Sequence, residues 1–130
     1  MSGVKLTDIV EKMNLKNLTP EVDITEREVL VPDVNRPALQ LAGFFDHFDL
    51  NRVQIIGNVE CAYLETLEDE KRVEIYQKLL EHKVPCIIFS NELQPDESFI
   101  EIAQKNDIPV FGTCKKTSSF MGELIRWLNV

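Results

Sequence analysis

Two kinds of hydrophobic periodicity alternate through residues 53–128. Short apolar runs have the length of buried strands. Each is followed by a segment whose apolar residues recur at spacings of three and four, the pattern of an amphipathic helix. The runs are 53–56, 86–89 and 110–111. Strands that alternate with helices of this kind are typical of an α/β domain with a mainly parallel sheet.

Three main helices are predicted from this pattern, and they must cover both faces of the sheet because the strands read as apolar throughout. The sequence therefore predicts a three-layer α/β/α domain. The first helix is expected to start at a capping box formed by Thr66 and Asp69. The core-facing residues are Ile75, Tyr76, Leu79, Leu80, Phe99, Ile100, Ile102, Ala103, Phe120, Met121, Leu124, Ile125 and Leu128.

The first half of the chain is less regular. A short helix is predicted over residues 7–14 with Thr7 as its N-cap. Apolar residues over 22–31 suggest short extended pieces that end at Pro32. After the strand over 53–56, Asn58 is expected to cap only a short turn.

A further short helix is predicted to start at Pro37, a residue that suits a first helical turn. Leu39, Leu41 and Ala42 are expected to supply its apolar contacts, and Gly43 to end it.

Composition limits the classes of function. The chain of 130 residues is one domain by size. Its net charge of −8 argues against nucleic acid or an anionic membrane as partner, since such partners select a basic face. Cys61, Cys86 and Cys114 have no zinc-site spacing and are expected to be reduced and largely buried.

The polar clusters have ordinary explanations. His47, between Phe45 and Phe48, is interpreted as a packing residue rather than a catalytic one, and His82 as a surface residue at a helix end. The acidic run over 65–70 is interpreted as a solvated helix start rather than a metal site. A phospho-receiver is excluded because no strand is followed by the acceptor Asp.

Two blocks of sequence resemble the N-terminal domain of bacterial HPr kinase/phosphorylase. The first is residues 34–45, Val-Asn-Arg-Pro-Ala-Leu-Gln-Leu-Ala-Gly-Phe-Phe, and the second is residues 52–60 together with Tyr63 and Leu64. Weaker similarity covers the rest of 4–130. The one departure inside the first block is Ala38, where the family usually has glycine, and a helix tolerates that exchange.

The resemblance implies a fold and a context. The family's N-terminal domain is similar in fold to that of peptidoglycan-precursor (Mur) ligases. The enzymes add and remove a phosphate on a serine of the sugar-transport phosphocarrier HPr, using ATP and Mg²⁺, in cytoplasmic carbon-catabolite control. They are homo-hexamers. Their chemistry lies in a C-terminal domain with a Gly-x-x-x-x-Gly-Lys-Ser/Thr loop, and no such loop occurs in residues 1–130.

Residues 1–130 are therefore interpreted as a non-catalytic regulatory or assembly domain without catalytic residues, metal or cofactor of its own. The expected partners are the family's C-terminal kinase domain, other copies of the chain and HPr, and neither nucleic acid nor membrane. The chain is either a piece of such an enzyme or a naturally separate domain.

The family's signature positions are expected to be structural or to face an interface. They are Asn35, Arg36, Pro37, Gly43, Gly57 and Glu60. Arg36 in particular is expected to pair with a carboxylate and fix the turn before Pro37.

One segment is a candidate anion site. Gly112, Thr113, Lys115, Lys116, Thr117, Ser118 and Ser119 join a strand to the start of a helix. Helix N-termini attract anions, and open α/β sheets bind ligands at this edge. The alternative for this segment is a plain helix-capping loop. The alternative for the function of the whole chain is a free-standing module that senses a small anionic metabolite through this segment.

Overall fold

A five-stranded, mainly parallel sheet forms the middle of the molecule in the computed structural model, which describes residues 3–46 and 48–129. Its strand order is β2-β7-β6-β5-β4, and a separate antiparallel pair joins β1 to β3. Within those residues the strands are β1 Val4–Lys5, β2 Lys16–Asn17, β3 Glu28–Val29, β4 Val34–Asn35, β5 Val53–Ile56, β6 Ile87–Phe89 and β7 Val110–Gly112.

Six helices accompany these strands in the described part of the chain. They are α1 Leu6–Lys12, α2 Ala38–Leu41, α3 Asn58–Glu65, α4 Asp69–Leu80, α5 Glu97–Lys105 and α6 Thr117–Leu128. Each strand from β4 to β6 leads through helices to its parallel neighbour, and only β2 runs antiparallel, at the edge beside β7.

Two apolar clusters lie on opposite faces of the sheet. Alternate residues of the strands divide between them: Ile55 and Ile88 face α1 and α6, whereas Ile56 and Ile87 face α2, α4 and α5. All four side chains are fully buried. Because helices cover both faces, the predicted three-layer α/β/α fold with a mainly parallel sheet is confirmed; the similarity to Mur ligases stays a prediction.

The helix stripes are buried in a graded way. The Ile75, Tyr76, Leu79 and Leu80 stripe of α4 is buried, as are Phe99 and Ala103 of α5 and Phe120, Leu124 and Leu128 of α6. Ile100, Ile102, Met121 and Ile125 pack at the margins of the two clusters and are only partly buried.

Three local predictions about helix starts are wrong. Lys5 occupies the N-cap of α1, so Thr7 lies inside that helix. The expected turn after Gly57 is the eight-residue helix α3. Thr66 ends α3, where its hydroxyl donates to the carbonyl of Tyr63 at 2.6 Å, and it is therefore not the cap of α4.

The short helix of the signature run is present, but its burial differs from the prediction. Pro37 holds the N-cap position of α2, and Gly43 follows the helix with φ of +98°, which glycine adopts at little cost. Leu41 is fully buried. Leu39, by contrast, is 62% exposed and Ala42 is exposed, so their predicted core contacts are wrong.

The cysteines are all free, but they are not all buried. Cys86 is buried, Cys61 is half-buried and Cys114 is exposed, which contradicts the expectation for that residue. Burial raises the pKa of the Cys86 thiol to about 12 and that of Cys61 to about 11.

Candidate functional site

Polar residues meet at the carboxyl edge of the parallel strands, where α/β sheets bind ligands. Arg36 follows β4, Gly57 follows β5, Ser90 and Asn91 follow β6, and Thr113 follows β7. Because parallel strands end at a common edge, the fold brings together residues that lie up to 77 positions apart in the sequence. We call this region the carboxyl edge.

Glu60 is the buried acid of the carboxyl edge. Only 3% of the residue is exposed, and its Oε1 accepts hydrogen bonds from Arg36 Nη2 at 2.6 Å and from the backbone N–H of Gly57 at 2.7 Å. The second bond is the acidic half of a capping box at the start of α3. Arg36 is one-third exposed, so the guanidinium closes the acid off from solvent.

A chain of hydroxyl groups links β6 to α6. Ser90 Oγ donates to the carbonyl of Ile56 at 3.2 Å and lies 2.5 Å from Thr117 Oγ1. Asn91 Nδ2 donates to Thr117 Oγ1 at 3.1 Å. Since each hydroxyl has one proton, the Thr117 hydroxyl donates to Ser90 and the sequence of donors is Asn91, Thr117, Ser90.

The absence of a side chain at Gly57 leaves room for the side chains of Thr117 and Arg36. A Cβ on this residue would lie 2.7 Å from Thr117 Oγ1 and 2.9 Å from Arg36 Nη2, both closer than real Cβ contacts. The side chains of Thr117 and Arg36 therefore fill the space at the end of β5. The carboxyl edge is therefore filled at the end of β5. At the end of β7 a cavity of about 240 Å³ remains, and Leu18, Gly112 and Thr113 are among the residues that line it.

The loop from Gly112 to Ser119 divides into two parts. Gly112 and Thr113 are buried, and Thr117 turns inward to Ser90. Lys115 Nζ pairs with Glu123 Oε2 at 2.5 Å, so its charge is compensated. Lys115, Lys116, Ser118 and Ser119 are exposed. Of these, Lys116, Ser118 and Ser119 lie at the N-terminus of α6, which has no side-chain cap.

The sequence matches the family described as HPr Serine kinase N terminus over residues 4–128. The chain belongs to this family. The resemblance seen in the sequence is thereby confirmed.

The relatives of this HPr serine kinase N-terminal chain are longer proteins. It is 54% identical to an HPr kinase/phosphorylase of Lachnoclostridium phytofermentans over 130 residues, which are 100% of this chain and 42% of the relative. It is 40% identical to that of Caldicellulosiruptor bescii over 121 residues, 93% of this chain and 39% of the relative. The chain thus spans about two fifths of the length of these curated relatives.

A solved structure shares the fold of this HPr serine kinase N-terminal chain. It contains the CBS and DRTGG domains of the regulatory region of Clostridium perfringens pyrophosphatase, in complex with the activator diadenosine tetraphosphate. The TM-score is 0.65 at 20% identity, over 96% of this chain and 47% of the other. The likeness is one of fold alone.

Asn35, a signature residue of the family, belongs to an amide network. Its Nδ2 donates to Gln54 Oε1 at 2.7 Å and to Gln40 Oε1 at 3.4 Å, and Gln54 Nε2 donates to the carbonyl of Arg52 at 2.8 Å. Gln54 is fully buried in β5. Sequence reasoning missed both glutamines, although one polar residue inside an apolar strand is a signal of a buried hydrogen-bond network.

A second polar cluster lies between α4 and α5 and was also missed. Tyr76 donates its hydroxyl to Asp96 Oδ2 at 2.6 Å, and Arg72 Nε pairs with the same oxygen at 3.2 Å. Burial raises the pKa of Tyr76 well above its usual value, and the bond to Asp96 adds to the shift. The cluster borders a cavity of only about 50 Å³, too small for a metabolite.

His82, the histidine that the structure describes, takes no part in the carboxyl edge. His47 lies outside the described residues. The His82 ring stacks on Phe45 with centroids 4.6 Å apart, and its Nδ1 lies 2.7 Å from the carbonyl of Lys78. The residue is half-buried, so its interpretation as a simple surface residue is wrong.

The described residues, 3–46 and 48–129, show neither a metal cluster nor a membrane-spanning helix. In those ranges, no cluster of three or more His, Cys, Asp or Glu side chains is arranged to hold a metal ion. In the acidic run, Asp69 pairs with Arg72 instead. Nor does any helix in the described part of the chain have the length and apolar character needed to cross a membrane.

Proposed function

We propose that this chain is the non-catalytic N-terminal domain of an HPr kinase/phosphorylase and serves the regulation or assembly of that enzyme. The observation that carries the proposal is the match of residues 4–128 to the family described as HPr Serine kinase N terminus. Thr117 and Arg36 fill the space at the end of β5. The sequence also lacks a Gly-x-x-x-x-Gly-Lys-Ser/Thr loop.

The proposal extends to the parent enzyme. ATP and Mg²⁺ would act in the C-terminal part, where HPr would be phosphorylated and dephosphorylated on serine. The parent would work in the cytoplasm, in carbon-catabolite control, as a homo-oligomer, a hexamer in the family. Residues 1–130 would hold none of the reacting groups. The length of the relatives supports this division, since about three fifths of each lies outside the match.

The test compares purified residues 1–130 with the product of the whole reading frame. Each protein is incubated with HPr, ATP and Mg²⁺, and phosphoserine on HPr is measured by intact-protein mass spectrometry. We expect phosphorylation by the whole product and none above the no-enzyme blank by residues 1–130. Phosphorylation by residues 1–130 alone would refute the non-catalytic assignment. A reading frame without a kinase domain would refute the parentage.

The second candidate is a free-standing module that senses a small anion at the start of α6. It is favoured by the exposed Lys116, Ser118 and Ser119 at a helix N-terminus without a side-chain cap. An NMR titration with phosphate, a sugar phosphate and a nucleotide tests it. Binding should weaken with salt and in Lys116→Ala. It should change less in Lys115→Ala, whose charge already faces Glu123.

A further inference from the structure

Four large apolar side chains are exposed on α2, α3 and the turn after α2. Leu39 is 62% exposed, Phe44 47%, Val59 69% and Tyr63 39%. We call these four residues the α2–α3 surface. Single exposed apolar residues are normal, but a monomeric protein rarely exposes several on adjoining elements unless something binds there.

The α2–α3 surface lacks charge, although 28% of the chain is charged. Residues 37–45 include no Asp, Glu, Lys or Arg. In α3, Glu60 is buried against Arg36, and Glu65 lines the small cavity beside Arg72 on another side of the helix. Depletion of charge together with exposed Leu, Phe and Tyr is the composition of an interface core.

The surface is also held in shape. α2 contacts α3, and the bond from Arg36 to Glu60 joins the residue before Pro37 to the first turn of α3. The backbone N–H of Phe44 donates to the carbonyl of Leu39 at 2.9 Å, which folds the turn back onto α2. Val59 and Tyr63 lie one helical turn apart, on the same side of α3. A preformed surface loses little entropy when it is covered.

We propose that the α2–α3 surface is the docking site of the C-terminal part of the HPr kinase/phosphorylase chain. This inference rests on the proposed function. The relatives supply the occupant, because about three fifths of their length lies outside the match to this chain. A linked domain is present at millimolar effective concentration, so a modest apolar surface is enough to hold it.

The position of Asn129 sets where the path to this occupant begins. Asn129, just after α6, donates from Nδ2 to the carbonyl of Pro32 at 3.1 Å. Pro32 precedes the edge strand β4, which leads directly into α2. The seven residues from Pro32 to Leu39 span at most about 25 Å. Chain that continues past Asn129 therefore starts near the beginning of β4, on the α1 and α6 face, and reaches the α2–α3 surface by passing around this edge strand.

A second copy of this domain is the less favourable occupant. Each copy carries a net charge of −8, so two copies repel one another. Interfaces between the domains of one chain are common.

Hydrogen–deuterium exchange tests the proposal without any substitution. Residues 1–130 and the whole reading-frame product are compared, and peptides that cover 38–45 and 58–65 are followed. We expect these peptides to exchange several-fold more slowly in the whole product. Peptides that cover α5 should exchange at the same rate in residues 1–130 and in the whole product.

A matched pair of variants then assigns the protection to the surface. Leu39→Glu with Val59→Glu should restore fast exchange in the whole product. Gln77→Glu with Lys105→Gln changes the net charge equally on α4 and α5 and should leave exchange unchanged. Circular dichroism checks that both variants fold. If the Leu39→Glu/Val59→Glu variant does not fold, the comparison of the two unsubstituted proteins still tests the proposal.

Four outcomes overturn the docking. Equal exchange in both proteins means that nothing covers the surface. A dimer of residues 1–130 that dissociates in the Leu39→Glu/Val59→Glu variant means that a second copy does. Protection that appears only after HPr is added assigns the surface to HPr. A reading frame that ends with this domain removes the occupant.

HPr phosphorylation measured in the same preparations separates the two proposals. A whole product that phosphorylates HPr but leaves the α2–α3 surface unprotected contradicts the docking alone. A reading frame without a kinase domain contradicts the proposed function as well.

Discussion

Glu60 brings a carboxylate into a position where only 3% of the residue is exposed. Burial of an ion is unfavourable unless partners replace its water, and Arg36 and the N–H of Gly57 do so. Glu60 and these two partners all belong to the signature positions of the sequence. At the scale of single residues, Glu60 is therefore stable in its buried position only while Arg36 and Gly57 bind it.

Arg36→Ala should therefore lower the free energy of unfolding by about 2–3 kcal/mol. The buried carboxylate then lacks its main partner, and the one-third exposure of Arg36 reduces the penalty below that of a fully buried pair. Chemical denaturation measures the change. Lys115→Ala is the control, because its ion pair with Glu123 is exposed and such pairs contribute little. Equal losses in the two variants would contradict the assignment.

Gly57→Ala should destabilise the protein by about 1–3 kcal/mol, since the new methyl group would displace Thr117 and Arg36. Gly122→Ala in α6 should have the opposite sign, because open space surrounds that position and alanine favours a helix by roughly 0.5–1 kcal/mol. The cost of Gly57→Ala should shrink in a Thr117→Ala background. A double-mutant cycle with no coupling between residues 57 and 117 would rule out the close contact.

The elements show what periodicity reveals. The stripes of α4, α5 and α6 were predicted because they repeat over two or three turns against long apolar strands. Strands β1 to β4 have only two residues each, which is too few for a pattern, and tertiary pairing defines them. The helix α3 was missed because its exposed side carries Val59, Ala62 and Tyr63, which removes the contrast between faces.

Ile87→Asp should abolish cooperative folding. The side chain of Ile87 is completely buried among residues of α4 and α5. Its strand, β6, is the central strand of the sheet. An unpaired carboxylate there costs several kcal/mol. Lys71→Ala, on the exposed start of α4, should change stability by at most about 0.5 kcal/mol. A thermal melt of Ile87→Asp within a few degrees of the unsubstituted protein would contradict the central position.

At the scale of the whole molecule, the sequence pattern predicts the three-layer fold. It does not predict which side chains meet at the carboxyl edge. The resemblance to the family placed Arg36, Gly57 and Glu60 among the signature positions. The meeting of Thr117 with Gly57 depends on where α6 crosses the sheet, and no local pattern encodes that crossing. The same holds for Lys115, whose partner Glu123 lies eight residues on, across the start of α6.

Stability of the whole molecule should fall at alkaline pH through Cys86. Burial raises the pKa of its thiol from 9.0 to about 12, so the unfolded chain loses this proton first. The contribution is fully present below pH 9 and is lost as pH rises from 9 towards 12. At pH 10 the loss is on the order of 1 kcal/mol.

The check is a set of urea titrations at pH 7.5 and pH 10 in a reductant. The drop between the two pH values should be smaller by about that amount in Cys86→Ala. In Cys114→Ala, where the thiol is exposed, the drop should match that of the unsubstituted protein. An identical drop in all three proteins would argue against the buried thiol as a cause.

Helix α6 is fastened at both of its ends. Thr117 joins the hydroxyl chain at the carboxyl edge, and Asn129 bonds to Pro32 at the opposite end of β4. Twelve helical residues make a rod about 18 Å long that crosses the sheet between these anchors. Because side-chain hydrogen bonds hold both ends, α6 cannot slide along its own axis without breaking at least one of them.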